Sequence, residues 1–332
     1  MCEGDSKLKK IKGILLVVTS LMMLAACSVG NAEEGKVVIY TNSDEAASEA
    51  MKAALDEAGY EEQYVLQSLG TSEIGGKLMV EGDKIEADIL TMSSYFVESA
   101  QKEHEMFADL TFETNALEQH PNYYAPILAN TGAIFTNTEV LKAKGLPMPT
   151  SIKDLAKPEF KGLVSIPNIM DSSTGWLFVQ AIMSEYGEVE GKTVLRNLIA
   201  NTGPHLESSG SGPIKKVQAG EVAAGFGLRY QAVLAKDSGL PIEYIDPIEG
   251  NFSLTETVAV VDKYDETTKL AMEMAEVIVK DARKELITHY PVALYEGETV
   301  LDTNKPAYSK HFKQPLTVEL LQQHQDFFKS AN

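Results

Sequence analysis

Five short clusters of hydroxyl and amide side chains punctuate this 332-residue chain: Asn42-Ser43, Thr71-Ser72, Ser93-Ser94, Ser172-Ser173-Thr174, and Ser209-Gly210-Ser211-Gly212 ahead of Pro213. Ser, Thr and Asn start helices because a side-chain oxygen accepts from the unpaired N–H groups of the first turn. The same turn can instead offer those N–H groups, the positive end of the helix dipole and the hydroxyl itself to an oxyanion. Taken singly, each cluster reads as a plain N-cap. Their recurrence at the ends of successive strand candidates points to one anion-binding rim, with Ser172, Ser173 and Thr174 foremost and Ser209 and Ser211 next.

Other side chains extend that chemistry. Arg229 follows a strand candidate that ends at Gly227, from where its guanidinium could grip an oxyanion with two parallel hydrogen bonds. The alternative is a surface Arg at a helix start. A cationic group on the same ligand needs a carboxylate, and Asp44, Glu73, Glu207 and Glu256 are available; Glu256 is favoured because it enters a connection between two halves of the chain. Tyr95 and Tyr230 could stack on a short alkyl chain or a cation, or serve as ordinary core residues.

Catalytic and metal chemistry find little footing. The Ser-Gly-Ser-Gly run is out of frame for a Gly-x-Ser-x-Gly elbow, His104-Glu105 lacks the second His of a zinc protease, and no phosphate-loop signature occurs. The six His are scattered singly, without ligand spacing. Neither a metal centre nor a cofactor is expected. Carboxylates are plentiful, so composition leaves a glycosidase pair open, although no pair stands out.

The elements that position these residues alternate. Strand candidates at 36–40, 64–68 and 87–92 each precede a polar turn and a helix, the last ending near His104. That alternation predicts a parallel sheet with crossover helices, the α/β class, in which ligands sit beyond the carboxyl ends of the strands. A second unit follows: strands at 131–137, 162–167, 222–227 and 242–245, a helix over 175–186 and a short helix over 213–219. Residues 257–261 form the last strong strand, with helices over 266–289 and 318–328 after it. Two α/β lobes with chain crossings near 130 and near 256 fit this order. The lobes are expected to comprise 36–129 with 257–332, and 130–256.

Charge narrows the partners. The 29 Lys and Arg face 48 Asp and Glu, a formal net charge of -19. A nucleic-acid binder needs a basic face, and polybasic adhesion to anionic lipid needs the same, so both are excluded as partners. Membrane attachment has another route. Lys7, Lys9, Lys10 and Lys12 precede an apolar run over 14–26 that is short for a spanning helix. It ends in Leu24-Ala25-Ala26-Cys27. The small residues before Cys27 resemble a bacterial lipobox, which implies cleavage of a signal over 1–26, a lipid on Cys27, and a tether over 27–35. Cys2, the only other cysteine, leaves with the signal, so no disulfide forms, and the remaining chain carries about -21.

Several stretches together resemble a known family. The Cys27 segment, the first strand with Thr41-Asn42 after it, residues 131–137 followed by Gly145-Leu146-Pro147-Met148-Pro149-Thr150-Ser151, and Gly220-Glu221-Val222-Ala223 are similar to the substrate-binding lipoproteins of ABC importers. The resemblance implies the type 2 periplasmic binding protein fold, two lobes with two hinge crossovers and ligand in the cleft. It also implies an ABC permease as partner, a monomer, and a place outside the cytoplasm. Residues 203–213, 227–231 and 249–256 are similar to the 2-aminoethylphosphonate branch of that family, with the ferric-iron branch alongside. This implies a small phosphonate ligand, with ferric iron, polyamine or thiamine as alternatives.

Overall fold

The computed structural model describes residues 35–331. The Cys27 lipidation signal, the leader before it and the tether up to residue 34 lie outside the described residues. Strand β1 (Val37–Thr41) is a run of β-branched and aromatic residues buried on both faces, as a parallel strand covered by helices requires. Its side chains alternate: Val37 and Ile39 pack with Met51 and Leu55 of helix α1 (Glu45–Glu57), whereas Val38 and Tyr40 join a second core with Ile74 and Leu78. Each such burial contributes ~1.5–3 kcal/mol.

The next units repeat the pattern. Strand β2 (Tyr64–Ser68) leads to α2 (Thr71–Glu81), and β3 (Ile89–Ser93) leads to α3 (Ser94–His104). Strands β2 and β3 flank β1 and run parallel to it. Strand β4 (Ala125–Asn137) is thirteen residues long and is followed by the short helices α4 (Thr138–Lys144) and α5 (Ile152–Leu155). Then come β5 (Val164–Pro167), α6 (Ser173–Thr202), β6 (Leu206–Glu207), α7 (Gly212–Gln218), β7 (Ala224–Leu228) and α8 (Arg229–Asp237). The chain continues through β8 (Ile242–Ile245), β9 (Ser253–Val260), α9 (Glu266–Val277), a π-helical link, α10 (Arg283–His289) and α11 (Val318–Ala331).

These strands form one ladder in the order β2-β1-β3-β9-β4-β7-β5-β6, with β8 also on β4. The chain has the mixed α/β, two-lobed fold expected, and β4 and β9 are its two crossings. The first part of β4 pairs antiparallel with β9, from Ala125 opposite Val258 to Thr131 opposite Ser253. Its remainder, from Gly132 onward, pairs with β7 and β8. Gly132 stands where β4 changes partners, and a Cβ there would lie 2.5 Å from the Phe226 ring and 3.1 Å from Leu177. Only hydrogen fits.

Two departures from the sequence reading have physical causes. The helix expected over 175–186 does end there, at Gly187 with φ 67°, but a second helical stretch that the sequence reading did not anticipate follows directly and runs to Thr202. The last helix, grouped by sequence with 257–332 in the first lobe, packs instead on α6 of the second: Trp176 Nε1 donates to His324 Nδ1 at 2.6 Å, and the Phe178 and Phe328 rings meet edge to face.

Candidate functional site

A cavity of about 370 Å³ opens where the carboxyl ends of β1 and β2 face those of β5 and β7. Asn42, Ser43 and Asp44 enter from the β1–α1 turn, and Ser68 and Thr71 from the β2–α2 turn. Opposite them stand Asp171, Ser172, Ser173 and Thr174 at the start of α6, with Ser208, Ser209, Gly210 and Ser211 ahead of α7. Asn130 of β4 and Glu256 of β9 line it from the crossings, and Tyr290 closes one end.

Local chemistry places these groups. Ser43 N–H donates to Thr41 Oγ1 at 3.0 Å, and Asp44 caps α1 by accepting from Ala47 N–H at 3.3 Å. Asn42 Nδ2 donates to Thr71 Oγ1 at 3.0 Å, tying the two first-lobe turns together. Ser172 precedes α6 without a side-chain cap bond, so its hydroxyl does not occupy the first-turn N–H groups. Ser172, Ser173 and Thr174 are all buried. Gly210 seats its loop directly on Thr174, since a Cβ at that position would lie 2.2 Å from Thr174 Oγ1.

Electrostatically the wall is one-sided. Among the described residues, Asp44, Asp171 and Glu256 line it and no Lys or Arg does. Glu256 is 2% exposed. Its Oε1 accepts from Ser93 Oγ at 2.8 Å and from Asn130 Nδ2 at 3.4 Å, while Oε2 has no donor among the described residues. Burial pushes this carboxyl up to about 7, with the Ser93, Asn130 and Asn42 side chains pulling it down and the Asp44 charge adding to the rise.

Asp44 is the centre of a second network. Tyr230 of α8 and Tyr290 at the end of α10 both donate their hydroxyls to its carboxylate, Gln231 Nε2 adds a bond at 3.2 Å, and the two phenol oxygens lie 3.1 Å apart. Burial raises both phenols well above their ordinary range, and the adjoining carboxylate raises them further.

Of the residues singled out by sequence, the structure brings Asn42, Ser43, Asp44, Thr71, Ser172, Ser173, Thr174, Ser209, Ser211 and Glu256 to the cavity. The others lie elsewhere. Arg229 is spent on Asp246, with Nε to Oδ1 at 2.8 Å and Nη2 to Oδ2 at 3.2 Å, and its Nη1 donates to the Asn304 carbonyl. Tyr230 reaches Asp44 from behind. Ser93 sits under Glu256, and Ser94 starts α3 outside the lining. Tyr95 is core, edge-on to Trp176 at 4.9 Å. Ser72 donates to the Met170 carbonyl at 2.5 Å, bridging the two sides of the cleft beside the cavity. Glu73 and Glu207 do not line the cavity. Sequence reasoning passed over Asn130, Asp171, Ser208 and Tyr290; for Asp171 and Ser208 adjacency to the polar clusters was an available signal.

A model of the family described as bacterial extracellular solute-binding protein matches residues 86–310. The chain belongs to that family. An uncharacterised Haemophilus influenzae protein is 24% identical over 255 residues, covering 73% of this chain and 72% of its own length. The Fe(3+)-binding periplasmic protein of Serratia marcescens is 27% identical over 230 residues, 66% of this chain and 64% of that one. The solved periplasmic binding protein P5PA superposes with a TM-score of 0.74 at 18% identity, over 90% of this chain and 99% of the other. Membership of this family gives the chain a solute-binding role and places that role outside the cytoplasm. No described helix is long and apolar enough to cross a membrane.

Proposed function

We propose that this protein is the lipid-anchored binding component of an ABC importer that captures a small phosphonate, 2-aminoethylphosphonate by preference, and delivers it to the permease. The observation that carries the reading is the composition of the cavity wall: hydroxyl-bearing helix starts on both sides, the carboxylate of Glu256 at a crossing with Asp44 and Asp171 at the helix starts, and no basic side chain among the described residues. An oxyanion finds donors at the Thr71 and Ser173-Thr174 starts, whose N–H groups precede the helical ladder. A ligand that is only anionic would meet three carboxylates without compensation. A zwitterion satisfies both ends. Charge-assisted hydrogen bonds contribute ~1.5–3 kcal/mol each, and three or four, after association costs, correspond to a Kd of about micromolar or below.

A second reading has one specific support, the oxygen cluster of Asp44, Tyr230 and Tyr290. Hard oxygen ligands suit ferric iron, and the Serratia relative is named for it. Both phenols here donate to the carboxylate, so iron entry would require losing two protons from groups that burial holds protonated. Calorimetry against 2-aminoethylphosphonate, ferric citrate, fructose 6-phosphate, thiamine and a polyamine separates the readings. Saturable heat with the phosphonate is expected, and heat with ferric citrate alone would reverse the assignment.

A further inference from the structure

Four oxygens on residues that line the cavity have no hydrogen-bond partner among the described residues: Glu256 Oε2, Asn130 Oδ1, Asn42 Oδ1 and Ser43 Oγ. Buried oxygens of this kind are uncommon, because each gives up the hydrogen bond it had in water. The way these side chains are tied down explains why it is oxygens that remain. Asn42 spends its amide N–H on Thr71 Oγ1 at 3.0 Å, and Asn130 spends its own on Glu256 Oε1 at 3.4 Å. Ser93 fixes the same Oε1 at 2.8 Å, which leaves Oε2 as the unclaimed carboxylate oxygen. One N–H of each amide is taken up within the protein, and the two amide oxygens and Glu256 Oε2 are left as unfilled acceptors.

We infer that Glu256 Oε2, Asn130 Oδ1 and Asn42 Oδ1 form a cage for a primary ammonium group of the ligand, which makes Glu256 and Asn130 specificity-determining residues for amine-bearing over amine-free or N-methylated solutes. The inference rests on the phosphonate reading for the other end of the ligand. A primary ammonium carries three N–H donors and no acceptor, the complement of three unfilled acceptors, one of them charged. Asp44 and Asp171 add negative charge on the same cavity, and among the described residues no basic side chain lines it. A trimethylammonium group has no N–H to give, and a methyl group in its place leaves the carboxylate buried without a counter-ion.

The test varies the ligand first, so that it does not depend on a variant folding. Calorimetry on the wild-type chain compares 2-aminoethylphosphonate with the near-isosteric propylphosphonate and with its N,N,N-trimethyl derivative. The expected result is at least about a tenfold loss of affinity for each of the latter two. Glu256→Gln and Asn130→Ala should then shrink the preference for 2-aminoethylphosphonate over propylphosphonate, because the variant side chains no longer reward the ammonium group or penalise its absence. Equal affinity of the wild type for all three, or equal losses for both ligands in the variants, overturns the cage. Absence of binding by any phosphonate refutes the functional reading alone. The cage is then read from the Glu256 carboxyl resonance, assigned by its loss in Glu256→Gln, on adding ethylammonium chloride against sodium chloride. Displacement of its titration to lower pH by ethylammonium alone supports the cage, and no displacement overturns it.

Discussion

The hydroxyl of Tyr230, at the start of α8, donates to the carboxylate of Asp44, which caps α1 on the opposite side of the cleft. With Gln231 on the same carboxylate and Ser72 on the Met170 carbonyl, it forms a set of direct bonds between the two halves of the molecule. Such bonds favour the closed arrangement over the open one, and a ligand that bridges the same two sides adds to them. Tyr230→Phe removes the hydroxyl and keeps the ring. The expected outcome is a loss of roughly 0.5–1.5 kcal/mol of stability and a larger ligand-free radius of gyration by X-ray scattering, restored by saturating ligand. An unchanged radius would mean that the Asp44 network does not bear on closure.

The start of α6 carries the second prediction. Ser173 and Thr174 are buried at the cavity wall beside the Gly210 loop. Ser173→Ala combined with Thr174→Ala removes two hydroxyl donors while sparing the backbone N–H groups. Calorimetry should show affinity for 2-aminoethylphosphonate reduced at least about tenfold, which is ~1.4 kcal/mol. Retained affinity would shift the oxyanion to the Ser208–Ser211 loop.

The buried carboxyl of Glu256 gives a pH dependence with a definite sign. Its folded value is raised from 4.5 to about 7, so between those values the folded protein binds the proton and the unfolded chain has released it. Stability of the ligand-free protein therefore falls as pH rises through this window, by on the order of 3 kcal/mol from this group alone. Glu256→Gln should flatten that slope relative to wild type in chemical denaturation across the window. Asp44, Asp171 and Tyr290 line the same cavity, and Ser93, Asn130, Asn42 and Tyr95 surround the carboxyl; all are present in both proteins, so the difference isolates Glu256. A wild-type slope equal to that of the variant would contradict a raised Glu256. In the presence of ligand, preference for 2-aminoethylphosphonate over propylphosphonate should grow as pH rises through about 7, because the ammonium needs the ionised carboxylate.

How far these positions were legible in the sequence follows from the range of the interactions involved. Strands β1, β2 and β3 and the turns after them announced themselves through β-branched runs followed by capping residues, a purely local code. Only residues 131–137 of strand β4 read as a strand; residues 125–130 before them are kept extended by pairing with β9, which lies far along the chain. The hydroxyl clusters at Thr71 and at 172–174 were readable because capping chemistry and oxyanion chemistry use the same residues. Arg229 misled because its partner, Asp246, lies seventeen positions along the chain and meets it only in the fold. Tyr290 and Asn130 carried no local signal at all. The amphipathic period of α11 revealed a buried face, and the identity of the surface it covers, α6, is a tertiary fact.

Anchoring is tested apart from the cleft. Cys27→Ser should release the protein from membrane fractions and leave its affinity for ligand unchanged. Retention of the variant in membranes would identify the apolar run over 14–26 as an uncleaved anchor instead.

The central claim, that a zwitterionic phosphonate bridges the two sides of this cleft, is tested most directly by a crystal structure of the chain with 2-aminoethylphosphonate. The account predicts phosphonate oxygens on the Thr71 and Ser173-Thr174 helix starts and the ligand nitrogen within hydrogen-bonding distance of Glu256 Oε2. A ligand bound outside this cavity, or one with its amine at the α6 start and its phosphonate against Glu256, would contradict it.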